Sequence, residues 1–264
     1  ALHPSNVADL HDVLRTKWIR MRLSMHGAHV EHLHKDRKAR RRFIKAEVKT
    51  QQTPMHERYA DVFRRLGFDV TIDFTTLLFG QNAEPPYKPA MPAVAIAPFA
   101  AHAGKMYPID MMEQVVKMLS DREDIEILLF GAGVKERKIL EHWAETYPRV
   151  TSMANQLNNL GEELNVIAQC RMMISMDSAN MHLASLASVP VLSIWGATHP
   201  LGGFMGYGQS LDNCIQRNDI QCRPCSTYGQ KSCREGDYPC LIGISPAQII
   251  TKIETLLAQQ ESKP

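Results

Sequence analysis

From residue 94 onward the chain alternates short, largely apolar runs with segments whose apolar residues recur every three or four positions. Val94–Pro98 (VAIAP) stops at a proline and opens into AAHAGK, so it reads as a buried strand entering a small-residue loop. Ile109, Met112, Val115, Val116 and Leu119 then share one face of a helix. Ile125–Phe130 (IEILLF) is a second strand, closed by Gly131-Ala132-Gly133 and followed by a helix through Trp143. Val150–Ser152 gives a short third strand, Leu164–Cys170 the end of a helix, and Met172–Met176 (MMISM) a fourth strand. A helix through Met181–Ala187 precedes Pro190, and Val191–Trp195 (VLSIW) is a fifth strand. Strands apolar along their whole length and separated by helices belong to a parallel sheet with crossover connections. The fold class is α/β.

Before residue 75 the same grammar is cut short. Val7–Leu10 ends a strand, Val13–Leu23 is a helix, and Ala28–Leu33 is a strand leading into a basic helix near Lys35–Val48. Met55–Leu66 forms a helix stopped by Gly67, as a C-terminal glycine would stop it. Two strands and three helices fall short of a doubly wound domain of ordinary size. Residues 80–92 (GQNAEPPYKPAMP), rich in Pro and polar residues, read as a linker. The division is then an incomplete N-terminal domain over 1–79, the linker, and a doubly wound C-terminal domain over 93–264. That last domain carries a cysteine-rich excursion and closes on a helix. The chain opens on ALHPSNVADLHD without an initiator Met, which reads as a fragment of a longer protein.

Composition removes several classes of function. With 44% apolar and 22% charged residues the chain is not of the disordered kind. No stretch of eighteen apolar residues occurs, so no transmembrane helix is expected, and no signal-peptide pattern opens the sequence. A cytoplasmic location is the expectation. The net charge of +2 conceals an asymmetry: residues 1–70 carry 15 Lys and Arg against 8 acids, and the rest carry 15 against 20. A partner of the first part is therefore expected to be anionic. Six cysteines without a signal point to reduced thiols or a metal site rather than a disulfide scaffold.

Three clusters carry candidate chemistry, each just past the carboxyl end of a strand. The first is Ala100-Ala101-His102-Ala103-Gly104-Lys105, whose small residues let a ligand approach the backbone while Lys105 offers an ammonium to a phosphate. A surface lysine in a loop is the equally open alternative. The second, Asp177-Ser178-Ala179-Asn180-Met181-His182, opens a helix whose N–H groups suit an anion. Alternatively Asp177 or Ser178 caps that helix and His182 is a buried, satisfied side chain. In the third, Gly131-Ala132-Gly133-Val134-Lys135-Glu136, Glu136 would reach a ribose diol, although glycine turns of this kind are common. A lysine, a helix N-terminus and a carboxylate on one rim of one sheet fit a nucleoside diphosphate.

Lys105-x-Tyr107-Pro108, Gly131-Ala132-Gly133 with Glu136, Asp177-Ser178-Ala179-x-x-His182 and Gly196-Ala197-Thr198-His199-Pro200 stand in the order found in glycosyltransferase family 9. The sequence resembles that family, which contains the ADP-heptose:lipopolysaccharide heptosyltransferases, well over about Val94 to Ala258 and loosely over the first 70 residues. The resemblance implies the GT-B arrangement, two Rossmann-like domains facing across a cleft, with the N-terminal one truncated here. It implies a sugar-nucleotide donor, ADP-heptose, bound by the C-terminal domain, and no further cofactor. Lys105 would contact the donor's phosphates or sugar, Glu136 its ribose and Asp177 its sugar. Ala100 and Ala101 would line the site, and Ser178, Ala179 and His182 would surround the diphosphate. Ala100 and Ala101 replace the family's usual hydroxyl residues, Ala179 a usual glycine and His199 a usual aspartate.

The segment from Lys35 to Lys49 is strongly basic. Eight cationic residues fall between Lys35 and Lys49 against two acids. A solvated helix face accounts for this, and Phe43 alone is too little aromatic interleaving for nucleic acid. By resemblance, Arg40, Arg41 and Arg42 would face a lipid-linked anionic saccharide acceptor at the inner face of the inner membrane. His26, His29, His32 and His34 alternate along a strand and read as surface residues rather than metal ligands. Cys222-x2-Cys225-x7-Cys233-x6-Cys240 has one Cys-x-x-Cys pair, leaving packed free thiols and a structural zinc both open.

The reading that results is a heptosyltransferase of lipopolysaccharide core assembly, and the resemblance implies inversion at the anomeric carbon without a bound divalent metal. A sugar-nucleotide epimerase and a non-catalytic nucleotide-sugar or lipid-binding module are the alternatives. In the family the acceptor-activating aspartate follows the first strand in a Gly-rich loop. No such loop precedes residue 75, and Asp9 and Asp12 belong to a later strand–helix unit by resemblance. The chain as given is thus expected to bind donor and to lack the catalytic base, with an uncovered sheet edge in its first part.

Overall fold

The computed structural model describes residues 3–73, 76 and 84–261. It divides into two compact units, Ala1–Phe74 with Leu201–Phe204, and Thr75–Pro200 with Met205–Pro264. Part of the expected linker, residues 80–83, lies outside the described residues.

The first unit has β1 (Asn6–Asp9), α1 (Leu14–Met25), β2 (His29–His32), α2 (Arg37–Lys45) and α3 (Met55–Arg65). The strands pair in parallel, Asn6 with His29 through Asp9 with His32. Gly67 takes φ +90° just past α3, the left-handed conformation that a helix-terminating glycine supplies. Ala28, Leu33, Phe43, Ala60, Val62 and Leu66 are the unit's buried apolar residues among those described. The segment Leu201–Phe204 joins this unit: the Gln52 N–H donates to the Leu201 carbonyl (2.8 Å) and the Met55 N–H to that of Gly203 (3.0 Å). Gly203 is required there, since at φ +85° a Cβ would lie 2.7 Å from the Thr53 carbonyl oxygen.

The second unit runs β3 (Ala93–Ala97), α4 (Ile109–Ser120), β4 (Glu126–Leu129), α5 (Gly133–Thr146), β5 (Val150–Ser152), α6 (Leu160–Ile167), β6 (Cys170–Met176), α7 (Ala179–Leu186), β7 (Val191–Trp195), β8 (Cys214–Gln216), α8 (Pro239–Ile242) and α9 (Pro246–Glu261). The α/β reading holds. All six strands are parallel in the order β5-β4-β3-β6-β7-β8. Every residue of β3, β4 and β7 is buried, as strands covered on both faces must be. Ile249, Ile253, Leu256 and Leu257 form the buried stripe of α9, which packs against α4. One boundary differs from the periodicity: Cys170 opens β6, and α6 ends at Ile167. Buried Cys170, Met172 and Met173 suit a strand and a helix equally well, so tertiary packing decides between them.

Strand order reverses between β3 and β6, where consecutive connections leave to opposite sides. Outside the carboxyl ends of two such strands an open α/β sheet has a ready-made crevice. In register, Ala97 of β3 lies beside Ser175 of β6, and Ser175 beside Ser193 of β7. The loops at residues 98–105, 177–179 and 196–198 therefore leave the sheet at one level.

Candidate functional site: the carboxyl edge of the second sheet

Each cluster expected from sequence lies on this edge, after β3, β4 and β6. Lys105 and Asp177 meet directly, with Lys105 Nζ 2.8 Å from Asp177 Oδ2. Both side chains are largely buried, at 15% and 5% exposure. Away from water such an attraction is weakly screened, so the ammonium is held at the crevice instead of roaming as a surface lysine would. Thr198 Oγ1 donates to the same Asp177 oxygen at 2.8 Å.

Glycines and a neighbouring loop fix this lysine. A Cβ on Gly104 would lie 2.7 Å from the Gly229 carbonyl and 2.9 Å from the Ala197 Cβ. A Cβ on Gly229, at φ +77°, would lie 2.6 Å from Lys105 Cγ. The Ala197 N–H donates to the Gly104 carbonyl (2.7 Å), and the Ala197 carbonyl accepts from the Cys225 and Ser226 N–H groups (3.1 and 3.2 Å). Arg223, 6% exposed, donates to the carbonyls of Gly196 (2.9 Å), Thr198 (3.0 Å) and Arg217 (2.9 Å) and to Gln216 Oε1 (2.9 Å). Burial pushes its guanidinium down to about 10, against the pull of Cys240, Cys222 and Cys225. The cysteine-rich excursion thus builds one wall of the site. Its composition gave no sign of that, because the contact joins residues more than a hundred positions apart.

Ser178 holds the N-cap position of α7, yet its side chain makes no capping hydrogen bond. Its hydroxyl instead lies 3.1 Å from Ser175 Oγ. The capping alternative is thereby corrected for Ser178, and Asp177 is engaged by Lys105 and Thr198. Ala179 and His182 are exposed on the first turns of α7, so His182 is not the buried residue of the alternative reading. Ala100 is half-buried against the core and Ala101 exposed. Glu136, in the first turn of α5, accepts the Ala132 N–H through Oε2 at 2.9 Å, so one of its oxygens serves the glycine turn itself. Tyr107 is fully buried with its hydroxyl donating to the Ile244 carbonyl (2.6 Å), which makes it a packing residue.

In the first unit Arg41 and Arg42 are exposed on α2, whereas Arg40 is half-buried over the Phe204 ring at 5.4 Å. Asp9 ends β1, buried, with Oδ1 accepting the His11 and Asp12 N–H groups (2.9 Å each) and Oδ2 3.3 Å from Arg20. His26, His29 and His34 are exposed and His32 half-buried. All six cysteines are free thiols, and burial pushes that of Cys240 up to about 11. Among the described residues no three His, Cys, Asp or Glu side chains are arranged to hold a metal, and no helix is long and apolar enough to cross a membrane.

The chain is similar to known proteins in both sequence and fold. It is 26% and 27% identical to lipooligosaccharide heptosyltransferase 2 of two Campylobacter jejuni strains. Those alignments span 137 and 138 residues, half of this chain and 41% of each relative, so the match takes in less than half the relatives' length. Its fold is similar to that of E. coli ADP-heptose LPS heptosyltransferase II (TM-score 0.67, 17% identity, 98% of this chain and 78% of that one). It is also similar to E. coli heptosyltransferase WaaC solved with ADP (TM-score 0.63, 18% identity, 96% and 72%). The sequence pattern of Glycosyltransferase family 9 (heptosyltransferase) matches residues 18–236, most of the chain and the whole of the edge just described, and so the chain belongs to that family.

Proposed function

We propose that this chain binds a nucleoside-diphosphate sugar, ADP-heptose, at the carboxyl edge of its second sheet, for heptosyl transfer to a lipopolysaccharide core acceptor. The observation that carries the reading is the buried Lys105–Asp177 pair beside the N-terminus of α7 at the point where strand order reverses. Lys105 and the first N–H groups of α7 supply positive potential to a departing diphosphate. Asp177 is the acceptor for a sugar hydroxyl, and Glu136 lies one loop away for the ribose. Exposed Ala179 and His182 flank the diphosphate, with Ala100, Ala101 and Ser178 around it. Family membership supports this assignment, as do the relatives described as heptosyltransferases and the similar structure that holds ADP. Transfer inverts the anomeric carbon and uses no divalent metal, the chain's own cations taking up the diphosphate charge.

The acceptor belongs to the first unit. Arg41 and Arg42 on α2 offer exposed charge to a phosphorylated, lipid-linked saccharide at the inner face of the inner membrane. Asp9 is not the base that would activate its hydroxyl. Burial acts to raise its carboxyl, but the Asp12 and His11 N–H groups, Thr16 and Arg20 outweigh that and hold it below its ordinary value. No Gly-rich loop bearing an aspartate occurs before residue 75, and we assign the activation of the acceptor hydroxyl to no residue of this stretch.

Calorimetric titration with ADP and ADP-heptose tests the assignment. Lys105→Ala weakens ADP by about 1.5–3 kcal/mol, as loss of a hydrogen bond to a charged group does. Asp177→Ala weakens ADP-heptose more than ADP. Equal ADP affinity in the wild type and the Lys105 variant removes that lysine from the site. Turnover with a core-lipid acceptor at about 1 per second or faster would place a base within this chain, and loss of that turnover on adding a chelator would reject the metal-free route.

A further inference from the structure

We propose that Thr198 is a positioning residue that sets the Asp177 carboxylate for the donor sugar, an inference that rests on the reading above. Asp177 has two oxygens and the structure uses them unequally. Oδ2 receives both Lys105 Nζ and the Thr198 hydroxyl, each at 2.8 Å. Oδ1 takes no hydrogen bond among the described residues, so it is the oxygen left for a ligand hydroxyl. Lysine alone does not enforce that division, because a tetrahedral ammonium on a flexible stem attracts either oxygen. A hydroxyl at a fixed place does enforce it, since the accepting oxygen must stay in line with the O–H.

The surroundings fix that hydroxyl. Thr198 is 2% exposed, and its carbonyl accepts from Arg223 at 3.0 Å. Two residues back, the Gly196 carbonyl accepts from the same guanidinium at 2.9 Å. Ala197, between them, is tied by its N–H to Gly104 and by its carbonyl to Cys225 and Ser226. The loop carrying Thr198 is thus anchored to the lysine loop on one side and to the excursion on the other. Carried on so fixed a backbone, the Oγ1 hydroxyl stays on Asp177.

Replacing the hydroxyl by a methyl group frees the carboxylate to turn, bringing both oxygens toward Lys105 and withdrawing one from the sugar. The phosphates have no direct part in this. Thr198→Val should therefore weaken ADP-heptose about tenfold, the low end for a hydrogen bond to a charged group. Its ADP affinity should stay within about twofold of wild type. Thr198→Ser, which keeps the hydroxyl, should restore ADP-heptose binding, a rescue that a purely structural methyl contact would not give. Should Thr198→Val fail to fold, Thr198→Cys serves instead, because a thiol is only a weak donor. Isothermal titration of the full chain with ADP and with ADP-heptose reads all of these. Equal weakening of both ligands, unchanged ADP-heptose binding in the valine variant, or no rescue by serine would overturn the role of Thr198. A wild-type chain that binds neither ligand would overturn the donor-site reading itself, and this proposal with it.

Discussion

The two units obey the same strand–helix grammar but differ in depth. In the second, six parallel strands place a layer of fully buried side chains at the centre, among them Trp143, Trp195, Met112 and Leu128. In the first, among the described residues, two four-residue strands pair only with each other, and α1 buries none of its residues. Leu14, Trp18, Met21 and Met25, spaced to share one face of α1, are 85%, 58%, 54% and 76% exposed. A sheet covered on both faces buries apolar area in proportion to its width, and two strands give little. A precise charge arrangement needs a rigid frame, and here the buried Lys105–Asp177 pair stands on the wide sheet. The thin unit instead carries exposed charge on α2.

A pair of tryptophans gives the largest expected contrast. Trp143→Ala in α5, where the ring is 1% exposed, should destabilise the second unit by about 3–5 kcal/mol through lost burial and the cavity left behind. Trp18→Ala in α1 should change stability by no more than about 0.5 kcal/mol, as surface substitutions do. Urea unfolding followed by circular dichroism reads both. Similar losses for the two would show that α1 is covered in solution and that the contrast in depth is false.

A smaller effect probes how closely the wide sheet's loops are packed. A Cβ at Gly196 would lie 2.6 Å from the Gly104 carbonyl and 2.6 Å from Leu241 Cγ. Gly196→Ala should therefore cost about 1–3 kcal/mol, the range for overpacking a close-fitted site, and weaken ADP binding by moving the Lys105 loop. In the first unit Gly27, at φ +87°, has open space around it. Gly27→Ala should cost only about 1 kcal/mol, from backbone conformation alone, with ADP binding unchanged. Thermal melts with and without ADP separate the two. Loss of ADP binding in the Gly27 variant would show that the units are energetically coupled.

The same contrast governs what the sequence discloses. Strands β3, β4, β6 and β7 are legible because burial on both faces makes them largely apolar, with Glu126, Arg171, Ser175 and Ser193 the exceptions. The positions of Lys105 and Asp177 are legible for a related reason, since strand ends in a parallel sheet fall on one rim. Their direct pairing is not, because it depends on register between β3 and β6. β8 is not legible: Cys214, Ile215 and Gln216 are three half-buried residues at a sheet edge, with neither a continuous apolar run nor clean alternation. Thr198 was visible only as one letter of a motif, because its partner lies 21 residues earlier on another strand end. The attachment of Leu201–Phe204 to the first unit has no local signal beyond its glycines.

The smallest expected effect separates the units by acid. His32 in β2 and His56 in α3 are both held below the ordinary histidine value, in each case first by burial. For His32 the cations Arg20, His34 and Arg65 add to this and Asp12 opposes it; for His56, Glu57 opposes it. A histidine depressed in the folded state stays neutral there while the unfolded chain takes up a proton. Its contribution is therefore complete above about pH 6.5 and is lost as pH falls from there through the folded value. Asp9, also depressed, adds a second loss only below about pH 4, as pH falls through its own folded value. Hydrogen exchange corrected for intrinsic rates should accordingly show β2 and α3 opening more readily at pH 5.5 than at 7.5, while β3 and β6 hold. His32→Gln together with His56→Gln should flatten that response in the first unit. A response that persists in the double variant would assign the acid sensitivity to other groups, and an equal response in β3 and β6 would mean that the two sheets unfold as one.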